Sequence, residues 1–313
     1  MRCCQNAVRL VLMMTCLAGA GLPQATAQSS RASEPKDVML QTKDGVKLAV
    51  TYYASNVGQD AVPVVILHDH KESRVVFDRL AFELQSPSNA RSESRAVITV
   101  DLRGHGQSTS QIAPNGQQRK LDASRLKTTD YQKMVTFDME AVRKFLVDEN
   151  DLRQLNLNKL CLVGSGMGAS VAVSWAATDW SAPRLAIRKQ GQDVKAMFLV
   201  SPQWKYRGLS MLEPLRQPGV QRQISMFIAY GEEDSKASKS AENIYKNLAK
   251  YHPEPDRDQI REKKDLFLFP LPTKLQGTKL LTTPDFGLYA QLEAFIEARL
   301  GNRDFEWIRR RSD

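Results

Sequence analysis

Short apolar runs recur along this 313-residue chain, at Val62–Leu67, Ala96–Val100, Leu160–Val163, Ala196–Val200, Met226–Ala229 and Leu266–Phe269. Each is continuous rather than alternating, so both faces of the strand it forms must be covered. That requirement is met by a parallel sheet held between helices. The intervening segments carry the complementary pattern. Val76, Phe77, Leu80 and Leu84 share one helical face, as do Met134, Val135, Val142, Phe145 and Leu146. Ile244, Tyr245 and Leu248 form a third face, and Leu288, Leu292, Phe295, Ile296 and Leu300 a fourth. The alternation predicts an α/β chain: a doubly wound, mostly parallel sheet with helices on both faces, as one domain over residues 36–300. Within Val38–Tyr53, the turn signal Lys43-Asp44-Gly45-Val46 predicts an antiparallel hairpin at the start of the sheet.

The first 27 residues read as an export signal peptide. Arg2 and Arg9 flank the start of an apolar run, Leu10–Leu22, too short to span a bilayer, and Ala25-Thr26-Ala27 fits a small-residue cleavage site. Residues 28–35 form a flexible lead-in, and residues 301–313 a basic tail containing Arg309-Arg310-Arg311. The expectation is an exported protein, periplasmic or secreted, and monomeric, with no transmembrane segment. Three of its four cysteines (Cys3, Cys4, Cys16) fall in the leader. Cys161 then stands alone, which excludes an intramolecular disulfide and a multi-cysteine zinc site. It reads as a small buried hydrophobe.

The net charge is +9, but the cations are interspersed with acids and no aromatic residues interleave with a basic stripe. Nucleic-acid binding is therefore disfavoured, and weak attraction to anionic surfaces is what the charge supports. Two segments without periodicity, 107–129 and 203–221, are expected as loops over the carboxyl ends of the strands, where such sheets bind ligands. The polar stretch 251–264, with His252, is expected at the surface.

Five motifs stand in order between these strands. They are Val64–His68 followed by Asp69-His70, Asp101-Leu-Arg-Gly-His-Gly-Gln-Ser108, Gly164-Ser-Gly-Met-Gly168, Tyr230-Gly-Glu-Glu-Asp234 and Leu275-Gln-Gly-Thr-Lys-Leu-Leu281. Together they resemble the α/β-hydrolase family of serine esterases and peptidases over nearly the whole chain after the leader. The resemblance implies an oxyanion loop at His68–His70, a nucleophile elbow at Gly164–Gly168, a triad acid at Asp234 and a base at position 276.

The chemistry departs from that pattern residue by residue. The nucleophile position midway between Gly164 and Gly168 is Gly166. Ser165 lies one place early, and Val163 and Met167 around it are too bulky for an elbow centred there. It is kept as an alternative nucleophile, with a turn role as the simpler reading. Position 276 is Gln, whose amide cannot accept and return a proton near neutral pH. Asp234 keeps its identity as the residual triad acid, and by itself reads as a helix cap. Asp69 stands where the family has Gly, while backbone donors at His70 and Met167 are expected to remain, with a helix N-terminus behind Met167. Losing nucleophile and base costs on the order of a million-fold in rate.

His68 and His70 share a strand face, but no third ligand is evident, so no metal and no cofactor are expected. The leading expectation is a protein without serine-hydrolase chemistry that binds a small molecule, peptide or protein in the cleft above Gly166. A second reading is a rearranged hydrolase with Ser165 or Ser108 as nucleophile and His70 or His105 as base. A third is an interaction module using the basic tail.

Overall fold

The computed structural model describes residues 33–89, 92–113, 115–183, 185 and 189–311. The leader assigned to 1–27, and the lead-in up to residue 32, lie outside the described residues. Strands occur at β1 Lys36–Gln41, β2 Val46–Tyr53, β3 Pro63–Leu67, β4 Ala96–Val100, β5 Ser110–Ile112, β6 Gln118–Lys120, β7 Leu160–Ser165, β8 Val194–Val200, β9 Lys205–Tyr206, β10 Leu209–Ser210, β11 Ser225–Gly231 and β12 Leu266–Leu271. Helices occur at α1 Asp78–Gln85, α2 Thr128–Lys133, α3 Met139–Asp151, α4 Met167–Ser181, α5 Pro218–Gln223, α6 Ser235–Ala249, α7 Ile260–Lys263, α8 Gly277–Thr282 and α9 Leu288–Ile296.

The main sheet runs in the order β12-β11-β8-β7-β3-β4-β2-β5-β6, with β1 also paired to β2. From β12 to β4 every pairing is parallel, and the β2 side is antiparallel. All six apolar runs are strands of this sheet. Their continuity has the expected cause: along β3, Val65 and Leu67 enter one core while Val64 and Ile66 enter the other. The first core is closed by Val142 and Leu146 of α3, Val171 and Trp175 of α4, and Ile244 and Leu248 of α6. The second is closed by Leu80 and Leu84 of α1 and by Leu288, Leu292, Phe295 and Ile296 of α9. Among the described residues no helix is long and apolar enough to cross a membrane.

Three expectations are corrected. Residues 107–129 are not a loop over the strand ends, since β5 pairs with β2 and β6 with β5, extending the sheet. These strands are three residues long and lie at the edge, so their sequence carries too few apolar positions to register. Residues 203–221 are likewise ordered, as the β9–β10 hairpin and α5. The hairpin turns through Arg207 and Gly208 at φ 42° and 92°, the double positive φ that a tight two-residue hairpin needs. His252 is half-buried rather than exposed, and burial lowers its pKa.

The tail is docked along the end of the sheet where β7 and β8 begin. The side-chain amides of Asn150, Asn156 and Asn158 donate to the carbonyls of Ile308, Phe305 and Glu306. Trp307 Nε1 donates to the Asn150 carbonyl at 3.2 Å. Arg310, 5% exposed, reaches the Asp193 carboxylate at 2.7 Å and Asn158 Oδ1 at 2.6 Å. A loose basic segment free to bind anionic polymers is therefore not what residues 302–311 form.

Next to this anchor, burial and the neighbouring Asp193 carboxylate push Asp179 up to about 7. An acid whose folded pKa is raised costs stability once the unfolded chain ionises. The cost grows between about pH 4 and pH 7 and is full above that. Asp179→Asn is expected to raise the urea midpoint at pH 8 and to leave it nearly unchanged at pH 4. An equal shift at both values would show that ionisation is not the cause.

Candidate functional site

The D-x-R-G-x-G-x-S turn after β4 is a scaffold. Asp101, fully buried, accepts from the backbone of Arg74 at 2.6 Å and of Gln107 at 2.8 Å. Arg103 lies between the carboxylates of Asp138 and Asp44, at 2.6 Å and 2.8 Å. Ser108 Oγ donates to the Asp101 carbonyl and accepts from Ala49 N–H. Its hydroxyl is thereby fixed in a backbone bridge, its proton given to a carbonyl rather than to an imidazole. His105 is 2% exposed and its Nδ1 pairs with the Arg103 carbonyl at 3.0 Å.

The elbow expected at Gly164–Gly168 is a strand-to-helix turn with a glycine at its centre. β7 ends at Ser165 and α4 begins at Met167, and Gly166 between them sits at φ 48°, ψ −106°, outside the regions open to L-residues at low cost. The flanking glycines permit the close approach. A Cβ at Gly168 would stand 2.4 Å from the Leu67 carbonyl oxygen, and one at Gly164 would stand 2.6 Å from Ala169 Cα. Ser165 is fully buried, its hydroxyl has no hydrogen-bond partner, and it does not line the recess above Gly166.

The oxyanion loop holds the main surprise. Asp69 Oδ1 accepts from His70 N–H at 2.7 Å and from Met167 N–H at 2.8 Å. These are the two backbone donors expected to remain free, so that expectation is corrected: the chain's own carboxylate occupies them. The positive end of α4 favours an anion there, and charge-assisted bonds to two backbone amides hold it. The same carboxylate also fills the space that a side chain at position 166 would need, because a Cβ on Gly166 would lie 2.2 Å from Asp69 Cγ. A carboxylate beside the hole would repel an oxyanion; here it reaches both amides and takes their hydrogen bonds itself.

The loop is held rigidly. Leu102 N–H donates to His68 Nε2 at 3.2 Å, which leaves the proton on Nδ1 to donate to the Asp69 carbonyl at 2.6 Å. Burial, reinforced by the His105 ring, pushes His68 down to about 4, so it stays neutral. With both nitrogens engaged it has no lone pair for a metal, and no cluster of metal-ligating side chains occurs among the described residues. Asp69 N–H donates to Glu72 Oε2 at 3.2 Å, and Thr278 Oγ1 donates to the same oxygen, tying the oxyanion loop to α8.

Gln276 is a strut. Its Nε2 donates to the Gly231 carbonyl at 2.8 Å, and its Oε1 accepts from Gly231 N–H at 3.2 Å and from Ser201 Oγ at 2.6 Å. Ser201 Oγ in turn accepts from Gly277 N–H at 2.8 Å. Ser201, at φ 50°, was invisible in the sequence, since nothing in Val200-Ser201-Pro202 signals an inward hydroxyl. Asp234 caps α6, accepting from Lys236 and Ala237 N–H, both at 2.9 Å.

Asp69, Gly166, Ser201, Gln203, Asp234, Lys236, Ala237, Ser240 and Gln276 line one recess of about 250 Å³. Gly166, Asp234 and Gln276, the positions that the resemblance assigns to a triad, thus line the same recess. No residue of 107–129 reaches the recess, and Gln203 is the contribution from 203–221.

Residues 62–248 match the family model described as alpha/beta hydrolase fold. Among solved structures, an esterase of Pyrococcus furiosus superimposes with a TM-score of 0.59 at 17% identity, covering 86% of this chain and 93% of that one. An esterase of Exiguobacterium antarcticum gives 0.52 at 18% identity, over 84% and 100%. The Pyrococcus horikoshii acylaminoacyl peptidase gives 0.58 at 14% identity, over 90% of this chain and 44% of that one. Protein phosphatase methylesterase 1 of Debaryomyces hansenii is 26% identical over 140 residues, which are 44% of this chain and 31% of that protein. The present chain therefore aligns with about a third of that relative's length. The ordered motifs, the strand order around the elbow and the family match together place this chain in the α/β-hydrolase fold family.

Proposed function

We propose that this chain is an exported hydrolase-fold protein that has given up serine-hydrolase chemistry and binds a small molecule, peptide or protein segment in the recess above Gly166. The observation that carries the reading is Asp69. Its carboxylate takes both backbone donors of the oxyanion hole and the space of the nucleophile. A tetrahedral oxyanion would have to displace a like charge from the same two amides, and stabilisation of that oxyanion is where acyl transfer gains most of its rate. The absence of a base at Gln276 adds to this. The Gln276 amide is hydrogen-bonded to Gly231 and Ser201 and cannot accept and return a proton near neutral pH.

The purified protein is expected to remain unlabelled by a fluorophosphonate probe and to show background turnover of short-chain p-nitrophenyl esters. Stoichiometric labelling at Ser165 or Ser201 would overturn the reading. Export is tested separately, by the N-terminal sequence of protein recovered from culture fluid or periplasm, which should begin at Gln28.

A further inference from the structure

A second recess, of about 260 Å³, lies at the opposite end of the strands, between α3 and the docked tail. Its charged lining includes Arg143 and Lys144 of α3, Lys189, and Arg310 and Arg311 of the tail. The carboxylates near these cations are shared or engaged by other donors, Asp151 among them, which accepts from the backbone N–H groups of Arg310 and Arg311 at 2.8 Å and 3.0 Å. Asp193 alone receives Arg310 at 2.7 Å, Arg143 at 3.1 Å and Lys189 at 3.5 Å. Glu140, the acid in the lining, is held by Trp175 Nε1 at 2.7 Å, and Arg311 is met by Asp148. Asp179, 4.0 Å from Arg143, is a weak counter-ion because its carboxyl is pushed up to about 7. Arg310 is almost fully buried, and its Nε makes no hydrogen bond.

Burial, and after it the Lys189 ammonium, push Lys195, which lies outside the recess lining, down to about 8. Lys144 is exposed at the rim. Guanidinium forks converging with ammonium groups over a small concave surface match the geometry and charge of a multivalent oxyanion.

We propose that this recess binds a small multivalent oxyanion of the phosphate class, free or as a lipid headgroup. Two of the eight lining residues, Arg310 and Arg311, come from the tail, so a bound anion bridges the tail to α3. The inference is independent of what the recess above Gly166 binds.

The test uses the full chain, titrated with pyrophosphate against sodium chloride at matched ionic strength, followed by calorimetry and thermal unfolding. Saturable binding with a rise in melting temperature is expected. Lys144→Glu/Arg311→Glu should weaken it at least about tenfold. Arg143 and Arg310 are left intact because they hold Asp193. If Arg311→Glu lowers stability, Lys144→Gln alone should still weaken binding measurably. Vesicles of phosphatidylcholine with phosphatidylglycerol separate the sources: binding competed by pyrophosphate marks a headgroup, and no vesicle binding marks a free anion. An equal response to chloride at the same ionic strength overturns the proposal. So does undiminished pyrophosphate affinity in a folded Lys144 variant.

Discussion

The triple variant Asp69→Gly/Gly166→Ser/Gln276→His is expected to hydrolyse p-nitrophenyl acetate at least about a hundredfold faster than Gly166→Ser/Gln276→His, the span that one oxyanion-hole donor is worth. The double variant should stay at the wild-type background although it restores nucleophile and base identities. The reason is steric and electrostatic at once. Any side chain at 166 meets Asp69 Cγ at 2.2 Å, and the amides of His70 and Met167 are already occupied at 2.7 Å and 2.8 Å. Emptying the hole by Asp69→Gly releases both donors and the space together. The gain should fall short of the roughly million-fold worth of an intact nucleophile and base. Asp234 shares the recess but uses its Oδ1 to cap α6 at 2.9 Å, so it orients a new imidazole imperfectly. Initial rates for wild type, double and triple variants decide the matter, and equal rates for the double and triple variants would remove Asp69 from its assigned role.

Arg310→Met is expected to lower the unfolding free energy by about 1–3 kcal/mol, the cost of leaving the buried acceptors on Asp193 and Asn158 without this donor. Asp193 is fully buried and would retain only Arg143 at 3.1 Å and Lys189 at 3.5 Å. Deleting 303–311 should cost at least as much, since it also strips the carbonyl partners from Asn150, Asn156 and Asn158. Urea denaturation of both variants provides the measurement. A loss below about 0.5 kcal/mol, as for an ordinary surface substitution, would show that the tail is not anchored there.

The sheet was legible because burial on both faces writes itself into short contiguous runs. The Asp44-Gly45 turn was legible because its backbone geometry restricts residue type, and Gly45 indeed adopts φ 85°. The edge strands β5 and β6 were not, since Gln118, Arg119 and Lys120 are all exposed and carry no periodic apolar signal. Whether the C-terminal residues dock or stay loose was not legible, because charge alone cannot reveal a buried acid at the other end of a salt bridge, here Asp193, 117 positions away from Arg310.

The identity of the residues at 166 and 276 needed no coordinates. A glycine has no side chain to attack with, and a glutamine amide cannot take up and return a proton near neutral pH, wherever they stand. What Asp69 does with its carboxylate was decided by tertiary structure. The two amides that receive it come from residues 70 and 167, and only the packing of β3 beside β7 brings them to one oxygen. The same holds for Ser201, Gln276 and Gly231, whose shared hydrogen bonds join the ends of β8 and β11 to the loop before α8. Chemistry intrinsic to one residue is local information, whereas a hydrogen bond between distant residues exists only once the chain has closed on itself.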